Sequence, residues 1–313
     1  MEFKKALVTG GAGFIGSHIA EKLIARGIET VVLDDLSVGK KENIPSNAEF
    51  IKGDVCDPEC VRNALAGVEV VFHEAARVSI RDSFRGFSED ARANVMGTVN
   101  ILKCMEGSEV KKFVYASSMA AYGDARYLPV DEGHPLEPTS PYGVSKLASE
   151  KYIHCFCQYA GIDYVILRYF NTYGPRQTAS PYVGVITIFI RKLLNGEDLP
   201  IFGDGNQVRD FINVEDITEA NLLAMDYSGP HQIFNVGTGV GTTVNTIAQI
   251  LQEKMGKSIQ IQYLPIQPGE PSSSVANISL ARKELGFVPR WALEKKISEV
   301  IEWNIKEAYG KSL

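Results

Sequence analysis

The sequence predicts an α/β protein with a doubly wound parallel sheet and a smaller mixed α/β lobe at its C-terminal end. Apolar segments of strand length alternate six times with segments of helical periodicity in the first 171 residues. Such alternation is typical of parallel strands whose crossover helices cover both faces of the sheet. Glycines or polar side chains follow most of the strands, and ligands of such folds bind at that edge.

The first predicted strand stops at Gly10. A helix follows, in which Ile15, Ile19 and Leu23 recur every four residues until Gly27. The other strands of this part are short apolar runs that end in acidic, small or hydroxyl residues. The predicted strands are Ala6–Val8, Glu29–Leu33, Ala48–Asp54, Val68–His73, Phe113–Ala116 and Asp163–Phe170.

Capping signals mark two of the intervening helices. Asp57-Pro58 begins a short helix and Ser140-Pro141 begins one that runs to about Tyr159, because Asp and Ser cap a helix and Pro suits its first position. Residues 91–105 also have helical periodicity. The proline-containing segment 123–140 is predicted to be a loop long enough to serve a function.

After Thr172 the alternation becomes irregular, which predicts a second lobe. The predicted helices are Val183–Leu194, Glu215–Met225, Val244–Met255 and two near Ala281 and Ile297. The predicted strands are Leu199–Phe202, Val208–Val214, Ile233–Val236 and Ile259–Leu264. We expect residues 1–171 to form one domain and residues 172–313 mainly another, with residues 232–237 returning to the main sheet.

Composition limits the class of protein. The chain has 313 residues, enough for about two domains, and its hydrophobic content of 45% is typical of a globular protein. A net charge of −6 gives little support to binding of nucleic acid or of anionic membranes. Neither a signal-peptide segment nor an apolar run of about 18 residues is present, so we expect no membrane span.

The cysteines and histidines have no metal-type spacing, so we expect no metal site and reduced thiols. We therefore expect a cytoplasmic protein. The cysteines are Cys56, Cys60, Cys104, Cys155 and Cys157, and the histidines are His18, His73, His134, His154 and His231.

Glycines at Gly10, Gly13 and Gly16 lie between the first strand and the first helix. Glycine lets a pyrophosphate approach the backbone there, and the first amides of the helix attract phosphate. The second strand ends in Asp34-Asp35, and Asp34 follows Gly16 by eighteen residues, close to the offset of about 20 for an acid that binds a ribose diol. The pattern predicts a dinucleotide site, and the carboxylate favours NAD over NADP.

Tyr142 and Lys146 lie one helical turn apart at the start of the helix after Ser140-Pro141. A tyrosine phenol has a pKa of about 10, and an adjacent ammonium together with a positive nicotinamide ring would lower this pKa. Ser118 follows the fifth strand at the same predicted edge. Ser, Tyr and Lys beside a nicotinamide could remove a proton from an alcohol while hydride leaves its carbon.

These motifs resemble the extended short-chain dehydrogenase/reductases that act on nucleotide sugars, a family with a Rossmann-type fold. The resemblance covers nearly the whole chain, and within the family it is greatest to UDP-glucose 4-epimerases and their UDP-hexose relatives. The segments that carry it are Thr9–Gly16, Ser118, Tyr142-Gly143-Val144-Ser145-Lys146, Arg168-Tyr169-Phe170-Asn171 and Arg209-Asp210-Phe211-Ile212.

The resemblance implies NAD-dependent 4-epimerisation of UDP-hexoses through a transient 4-keto sugar. Tyr142 would be the base, Lys146 would tune it and Ser118 would assist proton movement. The implied NAD contacts are Gly10, Gly13, Phe14, Ile15, Gly16, Asp34, Asp35, Asp54, Val55, Ala75, Ala76, Asn94, Tyr142, Lys146 and Phe170. The implied substrate contacts are Ser118, Tyr142, Asn171, Val185, Phe202, Arg209, Gln267, Glu270 and Ser274.

Three departures and absences bear on the substrate. Met119-Ala120-Ala121 carries no carboxylate where related dehydratases and decarboxylases have one, which favours epimerisation. Gln267 stands where relatives have an arginine on the diphosphate, so either Arg176 or another cation compensates or substrate binding is weaker or different. Ser274 stands where some epimerases have a bulky aromatic, so UDP-N-acetylhexosamines would also fit.

The alternatives are another nucleotide-sugar modifier on the same scaffold (a UDP-glucuronate epimerase, a dehydratase or a reductase) and a non-catalytic NAD-sensing protein. Proteins of the second kind typically lose the Tyr/Lys pair that this chain keeps. The resemblance also implies a homodimer through residues 91–105 and 141–159. Tyr152, Ile153 and Phe156 fit that interface and the protein core equally well.

Overall fold

A computed structural model describes residues 3–178, 184–266, 269 and 271–310. Its strands are β1 Lys5–Thr9, β2 Glu29–Asp34, β3 Glu49–Lys52, β4 Val70–His73, β5 Lys112–Ser118, β6 Asp163–Tyr169, β7 Asn171–Tyr173, β8 Leu199–Phe202, β9 Val208–Asn213, β10 Ile233–Val236, β11 Gly241–Thr243, β12 Ile261–Leu264 and β13 Ser273–Ser274. Its α-helices are α1 Phe14–Ala25, α2 Pro58–Ala64, α3 Ile80–Ser83, α4 Phe87–Ala91, α5 Gly97–Met105, α6 Pro141–Ala160, α7 Val185–Asn195, α8 Val214–Asp226, α9 Val244–Met255 and α10 Leu293–Tyr309.

The main sheet has seven strands in the order β10-β6-β5-β4-β1-β2-β3. Every pair of neighbours in it is parallel. The predicted doubly wound parallel sheet is therefore confirmed. Parallel strands all end at one edge, so the residues that follow β1, β2, β4, β5 and β6 are brought together there.

Helices cover both faces of this sheet, because successive side chains of a strand point to opposite sides. Val8 belongs to a core that includes Ile19 of α1 and Ile217 of α8. Its neighbour Leu7 belongs to the other core, which includes Ile101 of α5 and Ile153 of α6. Ile153 is thus a core residue. The sequence allowed it to lie either in the core or at a dimer interface, and the interface position is wrong.

The helix starts agree with the capping signals. The carboxylate of Asp57 accepts the N–H of Glu59 at 2.9 Å in front of α2. The hydroxyl of Ser140 accepts the N–H of Gly143 at 3.1 Å in front of α6. In both helices a proline occupies the first turn, where its missing N–H costs nothing.

The segment predicted as one helix over residues 91–105 is interrupted. It consists of α4, a π-helical turn at Arg92–Met96 and α5, and the helical backbone therefore begins earlier, at Phe87. Asn94 lies in the π-helical turn and donates from its amide to the side chains of Asp90 and Ser145. π-helical turns recur at functional sites because they redirect side chains.

The second lobe contains two small sheets and three helices. Strand β9 pairs with β7, β11 and β13, and β8 pairs with β12. Helices α7, α9 and α10 pack on them around Phe189, Leu251 and Ile297. Strands β7, β11 and β13 are two or three residues long and were not predicted, because so short a run has no periodicity.

Strand β10 is surrounded in sequence by elements of the second lobe, yet it pairs with β6 from Ile233–Ile166 to Val236–Tyr169. The seventh strand of the main sheet therefore comes from beyond residue 171. The division of the chain into domains at residue 171 stays a prediction. In the described ranges no helix is both long and apolar enough to cross a membrane.

A buried ion pair joins α6 to β6. Arg168 donates to the two carboxylate oxygens of Glu150 at 2.9 and 2.6 Å. Both side chains are 1% exposed. A buried pair of this kind is held by its geometry, and the loss of one partner leaves an uncompensated charge in the interior.

We expect Arg168→Met to lower the free energy of unfolding by about 3–5 kcal/mol, because it leaves the Glu150 carboxylate buried without its cation. The double variant Arg168→Met/Glu150→Leu should cost less than the single one, since no charge remains. Urea unfolding followed by circular dichroism measures both. Equal losses in the single and double variants would contradict this account.

Candidate active site

The turn between β1 and α1 brings three backbone segments into contact. Gly10 has φ +66° and donates its N–H to Leu33 O at 2.8 Å. A Cβ on Gly10 would lie 2.8 Å from Ala75 N, and one on Gly16 would lie 2.4 Å from Gly10 O. Side chains at these positions would force the turn and the helix apart, so the turn requires glycine.

Helix α1 begins at Phe14 with Gly13 as its N-cap, and no side chain caps it. The first N–H groups of a helix have no partner within the helix and attract anions. Phe14, Ile15 and Gly16 make up this first turn. The unpaired N–H groups of this turn, and the lack of side chains on its glycines, therefore suit a pyrophosphate.

Asp34 ends β2 beside the glycine turn and is 7% exposed. Its carboxylate accepts N–H groups from Ala12 at 3.0 Å and Leu36 at 2.8 Å, which fix its orientation. Burial raises the pKa of Asp34 from its ordinary value. Asp35 instead accepts the N–H and the hydroxyl of Ser37 and is exposed. Of the two acids, Asp34 has the position expected of a ribose ligand.

Further predicted NAD contacts lie at the ends of neighbouring strands. The carboxylate of Asp54 accepts a guanidinium N–H of Arg92 at 2.8 Å. Ala75 donates its N–H to the hydroxyl of Thr9 at 3.3 Å, and Phe170 is buried at the end of β6. Val55 and Ala76 are the other predicted NAD contacts of this set, and they follow β3 and β4 in the chain.

Asn94 stays a predicted NAD contact, and its side chain is hydrogen-bonded within the protein. Its side-chain oxygen accepts the N–H of Arg77 at 2.8 Å, and its amide nitrogen donates to Arg77 O at 3.0 Å. The same nitrogen donates to Asp90 and Ser145. The amide is 1% exposed and fully engaged by the protein, so it fixes the segment after β4 against α6.

Tyr142, Lys146 and Ser118 converge, as their spacing predicts. The Lys146 ammonium donates to Ala116 O at 2.7 Å and lies 5.9 Å from the centre of the Tyr142 ring. Tyr142 is 8% exposed and Lys146 is 2% exposed. Ser118 ends β5 within hydrogen-bonding reach of the Tyr142 phenol. A hydroxyl, a phenol and an ammonium thus lie together near the end of β5.

Burial sets the proton affinities of this group. Desolvation raises the pKa of Tyr142 to about 12, a hydrogen bond from Ser118 lowers it, and the charges of Asp90 and Glu74 raise it. Desolvation also lowers the pKa of Lys146 to about 8. Burial therefore opposes the phenolate form of Tyr142, and the lowering of its pKa by Lys146 and a nicotinamide ring stays a prediction.

Several predicted substrate contacts surround the same edge. Arg209 on β9 is the register partner of Ser274 and donates to Ser272 O at 3.3 Å. In the described part of the chain, the buried Ser274 Oγ and Asn171 Oδ1 have no hydrogen-bond partner. Orphaned polar atoms fit a polar ligand. Val185 is the first residue of α7, while Gln267 and Glu270 lie outside the described residues.

Two cations are candidates to replace the diphosphate-binding arginine that relatives have in place of Gln267. Arg176 pairs with Glu21 on α1 at 2.5 Å and donates to Ser17, so it is already held by that helix. The guanidinium of Arg81 lies 4.1 Å from the centre of the Phe202 ring. This contact joins α3 to β8 across the two lobes, and nothing in the sequence pattern indicated it.

The structure also shows that His73 is no candidate for a catalytic residue, and it adds the acid Glu74 to the site. His73 lies between the hydroxyls of Thr9 at 2.7 Å and Thr98 at 2.9 Å, and burial lowers its pKa to about 3. Glu74 next to it accepts the phenol O–H of Tyr169 at 2.9 Å. Burial raises the pKa of Glu74 to about 7. Sequence reasoning missed this acid, because an acid after a strand is no signal by itself.

Comparison with known proteins agrees with this site. Residues 6–237 match the model of the NAD dependent epimerase/dehydratase family. The chain is 36% identical over 307 residues to UDP-glucose 4-epimerase of Mycolicibacterium smegmatis, which covers 96% of this chain and 98% of that protein.

Two solved structures are close in fold. UDP-glucose 4-epimerase of Thermotoga maritima with UDP-glucose superposes with a TM-score of 0.94 at 40% identity, over 97% of this chain and 99% of that one. UDP-N-acetylglucosamine 4-epimerase of Methanobrevibacter ruminantium, in complex with UDP-N-acetylmuramic acid, gives 0.92 at 36%, over 98% and 100%. The chain therefore belongs to the NAD-dependent epimerase/dehydratase family, and it is an epimerase-type enzyme with NAD as its cofactor.

Proposed function

We propose that this enzyme interconverts the C4 epimers of UDP-hexoses, UDP-glucose and UDP-galactose among them, and that it also accepts UDP-N-acetylhexosamines. The observation that carries the proposal is the proximity of Tyr142, Lys146 and Ser118 near the end of β5. This group shares its sheet edge with the glycine turn at Gly10 and with Asp34. An alcohol placed there would meet a proton acceptor and an NAD ring together.

In this mechanism Tyr142 takes the proton of the sugar 4-hydroxyl, and Ser118 holds the same oxygen by a hydrogen bond. Bound NAD supplies the acceptance of hydride from C4 and its return. Tyr142 gives the proton back after the keto sugar has turned its other face, so no external redox partner is consumed. Lys146 keeps a positive charge beside the phenol, a charge that favours the phenolate.

The phenol needs more positive charge than the chain provides, since burial raises the pKa of Tyr142 to about 12. An oxidised nicotinamide ring carries such a charge. Bound beside Tyr142, such a ring would lower the pKa of this phenol.

The substrate contacts proposed here lie mainly on the second lobe. Arg209 would bind the diphosphate by charge-assisted hydrogen bonds. Phe202, under the guanidinium of Arg81, would flank the uridine, and Asn171 and Ser274 would use their unpaired oxygens on polar groups of the ligand. Val185 would line the same cleft, and we keep Gln267 and Glu270 as proposed contacts on the resemblance alone.

A homodimer is part of the proposal, with a second copy of this chain covering an apolar face. Phe87 of α4 is 61% exposed, Val144 of α6 is 53% exposed and Tyr152 of α6 is 52% exposed. A groove lined by Phe84, Ala91 and Pro141 lies beside them. Exposed apolar patches of this kind favour an interface. We also keep the cytoplasmic location as a proposal, supported by five free cysteines.

The purified protein, without added NAD, should convert UDP-glucose and UDP-N-acetylglucosamine to their C4 epimers, separated by chromatography and identified by NMR. UDP-glucuronate in a parallel incubation tests the alternative substrate. Stoichiometric consumption of added NADH would instead indicate a reductase. If none of the three UDP-sugars is converted, the proposed reaction is refuted.

Tyr142→Phe should lower kcat by about 10²–10⁴-fold, the range for loss of a general base, with NAD content and substrate binding retained. Tyr164→Phe is the matched control. It is also a buried tyrosine with a hydrogen-bonded phenol, but it bonds His154 on the outer part of α6, and its kcat should be unchanged. Initial rates and the NAD released by denaturation measure both variants. Wild-type kcat in Tyr142→Phe would remove the base from the mechanism.

Ser274→Tyr should reduce kcat/KM for UDP-N-acetylglucosamine by at least about tenfold more than for UDP-glucose, because a phenol ring would fill the space of the N-acetyl group. Ser274→Ala keeps the small volume and should retain both activities. Thermal unfolding monitors whether the buried ring is tolerated at this position. A parallel loss of both activities in a folded Ser274→Tyr protein would place the N-acetyl group elsewhere.

A further inference from the structure

The guanidinium of Arg81 lies at the boundary between the two lobes. Arg81 belongs to α3, which follows β4 at the C-terminal edge of the main sheet. Its guanidinium carbon is 4.1 Å from the centre of the ring of Phe202, the last residue of β8. A guanidinium that stacks by its flat face keeps N–H donors around its edge. Stacking on Phe202 is therefore compatible with binding of an anion by the same guanidinium.

The loop after β12 passes the same boundary. Strand β12 pairs with β8, whose last residue is Phe202. Beyond β12, Ile266 lies against Gly203, since a Cβ on this glycine would be 3.1 Å from Ile266 Cγ1. A Cβ on Gly269 would be 2.6 Å from the ring of Phe84, which directly follows α3. The loop thus contacts the end of β8 first and the end of α3 next.

These two contacts place Arg81 near the loop position at which relatives have a diphosphate-binding arginine. Ile266 and Gly269 are the described residues on either side of Gln267. The first of them lies beside the residue that follows the stacking partner of Arg81. The second lies against Phe84, one helical turn beyond Arg81. A cation on α3 therefore lies close to the part of the loop where this chain has a neutral glutamine.

The segment that contains α3 is rich in arginine for a chain with a net charge of −6. Arg77, Arg81 and Arg85 recur every fourth residue, and Asp82 is the single acid among residues 77–85. On the second lobe, Arg209 of β9 supplies another cation. A diphosphate carries more than one negative charge, so it is held best by several charge-assisted hydrogen bonds.

We propose that Arg81 is a substrate-binding residue of this enzyme: its guanidinium, stacked on Phe202, holds the diphosphate of the UDP-sugar and supplies the charge that relatives have at position 267. The inference rests on the proposed function, because it adds a ligand to the same substrate. Arg81 would act beside Arg209. Arg176, which pairs with Glu21 on α1, would have no part in it.

Arg81→Met removes the charge and keeps an unbranched side chain. It should weaken binding of UDP by about 10- to 100-fold, the range for loss of a hydrogen bond to a charged group. Calorimetric titration of the NAD-loaded protein with UDP measures this without turnover. The matched control is Arg26→Met, since Arg26 pairs with Asp226 just before β2, at the opposite edge of the sheet, and its UDP affinity should equal that of the wild type. Wild-type affinity in Arg81→Met would overturn the proposal.

Salt distinguishes a phosphate contact from a packing contact. Arg81 is partly exposed, and the Debye length falls from about 10 Å at 0.1 M salt to about 3 Å at 1 M. The loss of UDP affinity in Arg81→Met should therefore shrink severalfold over that range. Arg81→Lys keeps the charge without the planar fork, so its affinity should lie between those of Arg81→Met and the wild type. A loss that salt does not change would be due to the packing of Phe202 and would overturn the proposal.

A new cation at position 267 tests whether Arg81 supplies the charge that relatives have there. Gln267→Arg should restore about tenfold or more of the UDP affinity in the Arg81→Met background. In the wild type it should add less than about threefold, because the phosphates already have a cation there. Equal gains in the two backgrounds would show that the two side chains act independently, and would refute the proposal. Thermal unfolding and NAD content show whether each variant is folded.

The titrations separate this inference from the proposed reaction. If UDP binds and Arg81→Met weakens it as expected, the role of Arg81 stands even when no UDP-sugar is epimerised. If the C4 epimers are interconverted but UDP binds equally to Arg81→Met and the wild type, the reaction stands and the role of Arg81 is refuted. A wild-type protein that does not bind UDP refutes both.

Discussion

The site depends on the parallel pairing of β4, β5 and β6, whose C-terminal ends form one edge of the sheet. Ser118 is the register partner of Tyr169, and Glu74 follows β4 at the same edge. Helix α6 then lies across the edge, tied to β5 by the bond from Lys146 to Ala116 O at 2.7 Å. A one-residue slip would turn each of these side chains to the opposite face of the sheet. The chemistry of the site is therefore a consequence of register.

Burial acts against the charges that this arrangement collects. It raises the pKa of Tyr142 to about 12, raises that of Glu74 to about 7 and lowers that of Lys146 to about 8. Each shift opposes the charged form of its group, so every charge at the edge needs a partner to persist.

Sequence patterns were sufficient where one local signal decides the structure. The glycine turn, the caps at Asp57 and Ser140, and the Tyr142–Lys146 spacing all belong to that kind. Sequence patterns failed where two segments that are far apart in the chain meet. The stacking of Arg81 on Phe202 and the bond from Tyr169 to Glu74 join residues about a hundred positions apart, and no periodicity encodes them. The raised pKa of Tyr142 was missed for the same reason, since burial is a property of the assembled fold.

In the proposed reaction the two lobes have different tasks. The proposed catalytic residues lie at the edge of the main sheet, whereas Phe202, Arg209 and Ser274, the proposed substrate contacts, belong to the small sheets of the second lobe. A keto sugar has to turn its other face while its nucleotide stays bound. Separate anchoring permits this, because the nucleotide can be gripped by one lobe while the sugar moves over a fixed Tyr142 on the other. The division of contacts is thus what distinguishes turnover of both epimers from release of an oxidised intermediate.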